Sequence, residues 1–238
     1  MRKSNLLIIA SLAVLVVSLG MYNVALKTEY RKGTYKDPFQ DYKAIDIKGF
    51  QAIDINSANK LGVKIKPGKY GVWVHERSTE FVKVKQIGNR LQIDAEFPER
   101  EGYNERVIIT CPNLTEIKTN AIFRLKGKQE VLKKDYNNNP VTVEGFTLDS
   151  LELNADNASG IRLTKNRIGI LRSTTGISPG ANSHLEIEAD NTIGAAHLTV
   201  RNKGKLKVNT SKIARLQYEF GDSTEVSFTG AAMSQLKK

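Results

Sequence analysis

Residues 148–166, "LDSLELNADNASGIRLTKN", place two short apolar-polar alternations on either side of a run of Asn, Asp, Ser and Gly. In an extended strand successive side chains point to opposite faces, so Ile161 and Leu163 face one way and Arg162 the other. The intervening "NADNASG" holds residues that accept left-handed backbone or hydrogen-bond their own main chain, and it reads as a corner between two strands. The texture recurs toward the C-terminus. "LTEIKT" from Leu114, "LDSLEL" from Leu148, "IGILRS" from Ile168, "AAHLTV" from Ala195 and "IARLQY" from Ile213 align as one unit. A shorter unit interleaves with it: Ile161-Arg-Leu163, Leu185-Glu-Ile187, Leu206-Lys-Val208 and Val226-Ser-Phe228. Self-similarity with a period of about 20 residues and two short strands per repeat predicts a short parallel β-helix or β-solenoid, in which neighbours bury what one unit cannot. An antiparallel β-sandwich is the competing architecture, because alternation does not distinguish the two pairings. On the parallel reading Arg162, Glu186, Lys207 and Ser227 form one outward column, with Glu186 beside both cations.

Upstream, "FQAIDIN", "LGVKIKPG", "YGVWVHE" and "RVIITCPNL" each alternate apolar with polar residues, as half-buried strands do. Gly88 and Asn89 supply a tight turn, so Phe81–Phe97 reads as a β-hairpin and this half as mixed or antiparallel sheet. "KQEVLKKDYNNNP" is too polar to be buried and is expected to be a protruding loop. Cys111 is the only cysteine, so no intrachain disulfide can form. Its phase with Val107 and Ile109 sends it inward.

Taken together, "FQAIDIN", "GVKIKPGKYGVWVHE", the "VKVKQIGNRLQID" hairpin, "RVIITCPNLTEIKT" and the following strand units resemble the auto-transporter adhesin head GIN domain family, found in bacteria and common in Bacteroidota. The resemblance covers residues 46–230. It implies an all-β, right-handed β-helix-like fold, an extracytoplasmic location and, by name, adhesion; it supplies no catalytic residues.

The N-terminus is of another kind. Arg2 and Lys3 precede an uncharged run from Ser4 to Leu26, 23 residues. About 20 apolar residues suffice to cross a bilayer. The run predicts one uncleaved transmembrane helix, a signal anchor, in preference to a cleaved signal peptide ending at Ser18-Leu19-Gly20. The organisation expected is therefore 1–26 as anchor, 27–45 as a basic juxtamembrane tether, 46–230 as the GIN-like domain and 231–238 as a tail. Net charge is +11, and much of the excess lies beside the anchor, where cations meet lipid head groups. The remainder is dispersed and lacks interleaved aromatics, which excludes a nucleic-acid stripe.

No catalytic constellation, cofactor cradle or metal set emerges. His75, His184 and His197 are scattered, and no Ser sits in a G-x-S-x-G elbow. Glu186, Glu188 and Asp190 alternate in "LEIEAD", so as a strand they would share one face opposite Leu185, Ile187 and Ala189. Calcium accepts such oxygens, although a solvated polar face is the plainer account. Trp73 points opposite to Val72 and Val74, and packing against the solenoid is a plainer account of it than a sugar-stacking platform; with these carboxylates it makes up the candidate ligand surface. The function expected is a membrane-anchored, extracytoplasmic β-solenoid module of the envelope, not an enzyme, that serves as a structural surface or binds glycan or protein; a polysaccharide-processing β-helix enzyme is the alternative.

Overall fold

The computed structural model describes residues 3–33, 37, 39–99, 105–134, 139–209, 212–230 and 232–233. Two compact units result, Met1–Asp41 and Tyr42–Lys238. The first contains helix α1 (Lys3–Lys32), none of whose side chains is buried. Its length, roughly 45 Å at ~1.5 Å per residue, exceeds a bilayer core of about 30 Å. The helix runs six residues past Leu26 into the stretch read as tether. Thr28 Oγ1 donates to the Val24 carbonyl and Lys32 pairs with Glu29, so nothing interrupts the helical hydrogen bonds there.

Among the described residues the second unit is mostly strand, with a short 3-10 helix at Glu76–Ser78. Its first strands are β1 (Tyr42–Ile45), β2 (Ala52–Ile55), β3 (Leu61–Pro67), β4 (Gly71–His75), β5 (Val82–Ile87) and β6 (Arg90–Phe97). There follow β7 (Glu105–Cys111), β8 (Glu116–Thr119), β9 (Ile122–Leu125), β10 (Lys128–Val131), β11 (Val141–Glu144) and β12 (Thr147–Ala155). The C-terminal set is β13 (Gly160–Thr164), β14 (Arg167–Thr175), β15 (His184–Ile187), β16 (Thr192–Val200), β17 (Lys205–Asn209), β18 (Lys212–Phe220) and β19 (Glu225–Thr229).

These strands form two large sheets rather than a β-helix, and among the described residues no closed solenoid is present. One sheet has nine strands in the order β1-β4-β7-β3-β11-β13-β15-β17-β19, the other ten in the order β10-β9-β6-β2-β8-β12-β14-β16-β18. The expected β-solenoid, right-handed by family resemblance, is thereby overturned. A period near 20 requires only that the chain visit two sheets in turn; it does not require that the sheets join into a tube. The N-terminal half also breaks the repeat. β1 pairs β4, β4 pairs β7, β5 pairs β6 and β9 pairs β10, all antiparallel. The β-sandwich alternative fails as well, since β11 through β19 pair in parallel throughout.

Alternation drives the packing. Inward residues of both sheets merge into one apolar cluster that contains Ile161, Leu163, Leu185, Leu206 and Val208 from one sheet and Leu151, Leu153, Leu171 and Leu198 from the other. At the N-terminal end Phe97 fills the core against Phe81 and Phe123, with ring centroids 5.5 and 6.0 Å away. The Asn-rich corners have a structural use. Buried Asn191 accepts from Asn166 N–H and donates to the Leu163 and Glu188 carbonyls, while Asn166 donates to the Val143 carbonyl, so main-chain groups at successive turns are satisfied internally.

Three local expectations need amending. The long unit's register is Leu148, Ile168, Ile193, Ile213, so the alignment from Ala195 is displaced by two; Leu114 likewise precedes its strand. Lys128–Val131, read as loop, is strand β10, fully exposed but paired with β9; the following residues 135–138 lie outside the described set. Ala189 is exposed in a turn because β15 ends at Ile187.

Cys111 is buried in β7 as its phase required, and burial pushes its thiol up to about 12. Native labelling with a thiol reagent near neutral pH should therefore be slow and should accelerate on denaturation. Rapid labelling of folded protein would contradict this placement.

Candidate functional site

The outward face of β13, β15, β17 and β19 carries the site. Parallel pairing sets Arg162 opposite Glu186, Glu186 opposite Lys207 and Lys207 opposite Ser227, the column expected from the short repeat. Arg162 Nε lies 2.7 Å from Glu186 Oε2, and Lys207 Nζ lies 2.7 Å from Oε1. The Glu186 side chain is only 12% exposed. Burial pushes its carboxyl up, but hydrogen bonds from Lys207 and Arg162 outweigh that and hold it below the ordinary range. The same bond raises Lys207. A carboxylate held ionised in this way is the opposite of a general acid, which needs its proton near neutral pH.

A second column lies two residues earlier on each strand: Gly160, His184, Lys205 and Glu225, again in parallel register. The His184 ring lies directly over Gly160, where a Cβ would collide with the imidazole. Lys205 Nζ is 2.9 Å from Glu225 Oε2. Between and beside the two columns is an open groove of about 620 Å³, lined by Arg162, Asn182, His184, Lys205, Lys207 and Ser227 among others. Sequence reasoning found the first column and missed the second. The signal was present, because moving each chosen outward residue back by two lands on the same face.

The predicted surface residues do not converge. Trp73 is on β4, paired with Ala44 and Ile108, and its half-buried indole lies over Gly71. Strands β7, β3, β11 and β13 separate it from Glu186. Glu188 falls just beyond β15, where it lies 3.7 Å from Arg162 Nε and accepts from Asn209 Nδ2 at 2.9 Å. Asp190 sits in the next turn and accepts from Thr164 Oγ1 at 2.8 Å and Lys165 N–H at 2.9 Å. Glu186 and Glu188 thus both face Arg162, whereas Asp190 serves the Thr164–Lys165 turn, and the three do not share one strand face. Among the described residues no group of three or more His, Cys, Asp or Glu is placed to hold a metal ion.

No protein-family model matches the chain, and no curated protein does. Solved structures do resemble it. A candidate adhesin from Bacteroides fragilis aligns over 79% of this chain and 93% of its own, at 14% identity and a TM-score of 0.50. A candidate lipid-binding protein from Parabacteroides distasonis aligns over 78% and 80%, at 12% identity and a TM-score of 0.45. A candidate adhesin from Parabacteroides merdae aligns over 79% and 95%, at 14% identity and a TM-score of 0.36. At such identities, what this chain has in common with the Bacteroides fragilis protein is its fold.

Proposed function

We propose that the chain is a membrane-anchored, extracytoplasmic binding module of the bacterial envelope, adhesive in the broad sense, with α1 as its single span. The observation that carries this reading is a helix long and apolar enough to cross a bilayer, with no buried residue, in a chain whose other unit is a sheet assembly with an open, charged outer groove. A basic leader followed by an apolar run is how export signals begin, which supports export of the C-terminal unit. The adhesin name of the Bacteroides fragilis fold neighbour agrees with a binding role. Residues 1–26 would span the membrane and 27–41 would connect the span to the GIN-like unit, whose sheet already includes Tyr42–Ile45 as β1.

The test is direct. Mass spectrometry of membrane-extracted protein should find the leader intact, and protease added to spheroplasts should digest the sheet unit. A mature chain beginning near Met21, or protection of that unit from external protease, would refute the anchored, exported arrangement.

A further inference from the structure

The turns that return the chain from the ten-stranded to the nine-stranded sheet line up along one rim. Gly180 and Asn182 lie between β14 and the body of β15, Lys203 between β16 and β17, and Ser223 and Thr224 between β18 and β19. Lys133 and Lys134, which follow β10, line the same hollow of about 660 Å³. Four lysines, Lys133, Lys134, Lys203 and Lys205, thus meet one carboxylate, Glu225, which is already paired with Lys205. Among the described residues, Lys133, Lys134 and Lys203 have no ion-pair partner, and all three are exposed. Like charges brought together on adjacent turns repel, and a polyanion would relieve them. Asn182, Lys205 and Glu225 also line the groove beside Arg162 and Lys207, so the rim and the groove adjoin.

We propose that this rim binds an acidic polysaccharide, with carboxylate or sulfate groups on Lys133, Lys134 and Lys203 and sugar hydroxyls on Asn182, Ser223 and Thr224. The assignment rests on the binding role proposed above and names its ligand class. Three features select a glycan. Neutral hydrogen-bonding groups alternate with the cations, as a sugar's hydroxyls require. Successive turns repeat at the strand spacing of ~4.8 Å, comparable with the rise per residue of an extended polysaccharide. Among the described residues, the hollow is lined by no large apolar side chain to receive an acyl chain and no aromatic on which a nucleobase could stack.

The probe is an oligogalacturonate of defined length, titrated calorimetrically against the full chain in neutral nanodiscs, with its methyl ester as the uncharged counterpart. The acid should bind, more weakly as salt rises, and the ester should not. Combining Lys133→Gln, Lys134→Gln and Lys203→Gln should weaken binding by about tenfold, the sum of three exposed charge contacts. Lys43→Gln, Lys83→Gln and Lys85→Gln, which remove the same charge elsewhere, should leave it unchanged. Equal effects of the two triples, or equal binding of acid and ester, would overturn the site. Capture of anionic phospholipid vesicles in place of the oligouronate would overturn the ligand class. Retention on isolated envelopes separates the two levels of argument: wild type and rim variant retained alike would refute the rim yet keep the binding role, whereas retention of neither would refute both.

Discussion

Replacing Leu206 with Ala should destabilise the sheet unit by about 2–5 kcal/mol, whereas Glu186→Gln should cost about 1 kcal/mol or less. Leu206 is 2% exposed and sits in register between Leu185 and Val226, so truncation removes apolar contact and leaves a cavity against both neighbouring strands. Glu186 is bonded to two cations that keep access to water, Arg162 at 37% and Lys207 at 53% exposure, so neither is stranded when the charge goes. Urea titration of the full chain in detergent, read by a probe of sheet structure, gives both values. Equal losses for the two variants would show that the outward column, and not the core, carries stability here.

The same column makes stability depend on acid. The carboxyl of Glu186 is depressed against the pull of burial by Lys207 and Arg162, Glu116 likewise by Lys118 and Arg90, and Glu144 by Lys165 and Lys64. A carboxyl whose folded pKa lies below its unfolded value stabilises the fold above the unfolded pKa, and that contribution fades as pH falls through the folded one. Urea midpoints should therefore fall progressively below about pH 4.5, and Glu186→Gln should flatten part of that fall.

Gly176→Ala should lower stability by about 2–4 kcal/mol, the combined cost of left-handed backbone and an overpacked turn. Gly176 has φ of +82°, and a Cβ there would run into the Arg201 carbonyl on the next turn. Backbone oxygen cannot swing aside as a side chain can. Gly88→Ala is the matched control: φ is +60° but nothing lies within 4 Å of the added carbon, so only the conformational part, about 1–2 kcal/mol, remains. Thermal unfolding of both variants separates strain from collision, and equal shifts would exclude the collision with Arg201.

Sequence alone determined which residues face inward and which outward along most strands, that Phe81–Phe97 is a hairpin, that Cys111 is buried and that one apolar helix stands at the N-terminus. These follow from local periodicity and turn chemistry, which need no partner to be read. It also placed Arg162, Glu186 and Lys207 side by side, because the short unit offers one apolar-polar-apolar frame per strand. Register in the longer unit was a different matter. The unit is marked only by an apolar or small residue followed three later by another, and Ala195–Leu198 fits that spacing as well as Ile193–Ala196, so backbone pairing had to choose between them.

Tertiary structure alone decided how the strands share two sheets. β2 lies between β6 and β8, and β3 between β7 and β11, neighbours that no local pattern specifies because the hydrogen bonds come from distant segments. It also decided that Lys133 and Lys203, 70 positions apart in the chain, line one hollow. Their meeting depends on where each turn emerges along the rim, a property of stacked strands and not of the charged residues themselves.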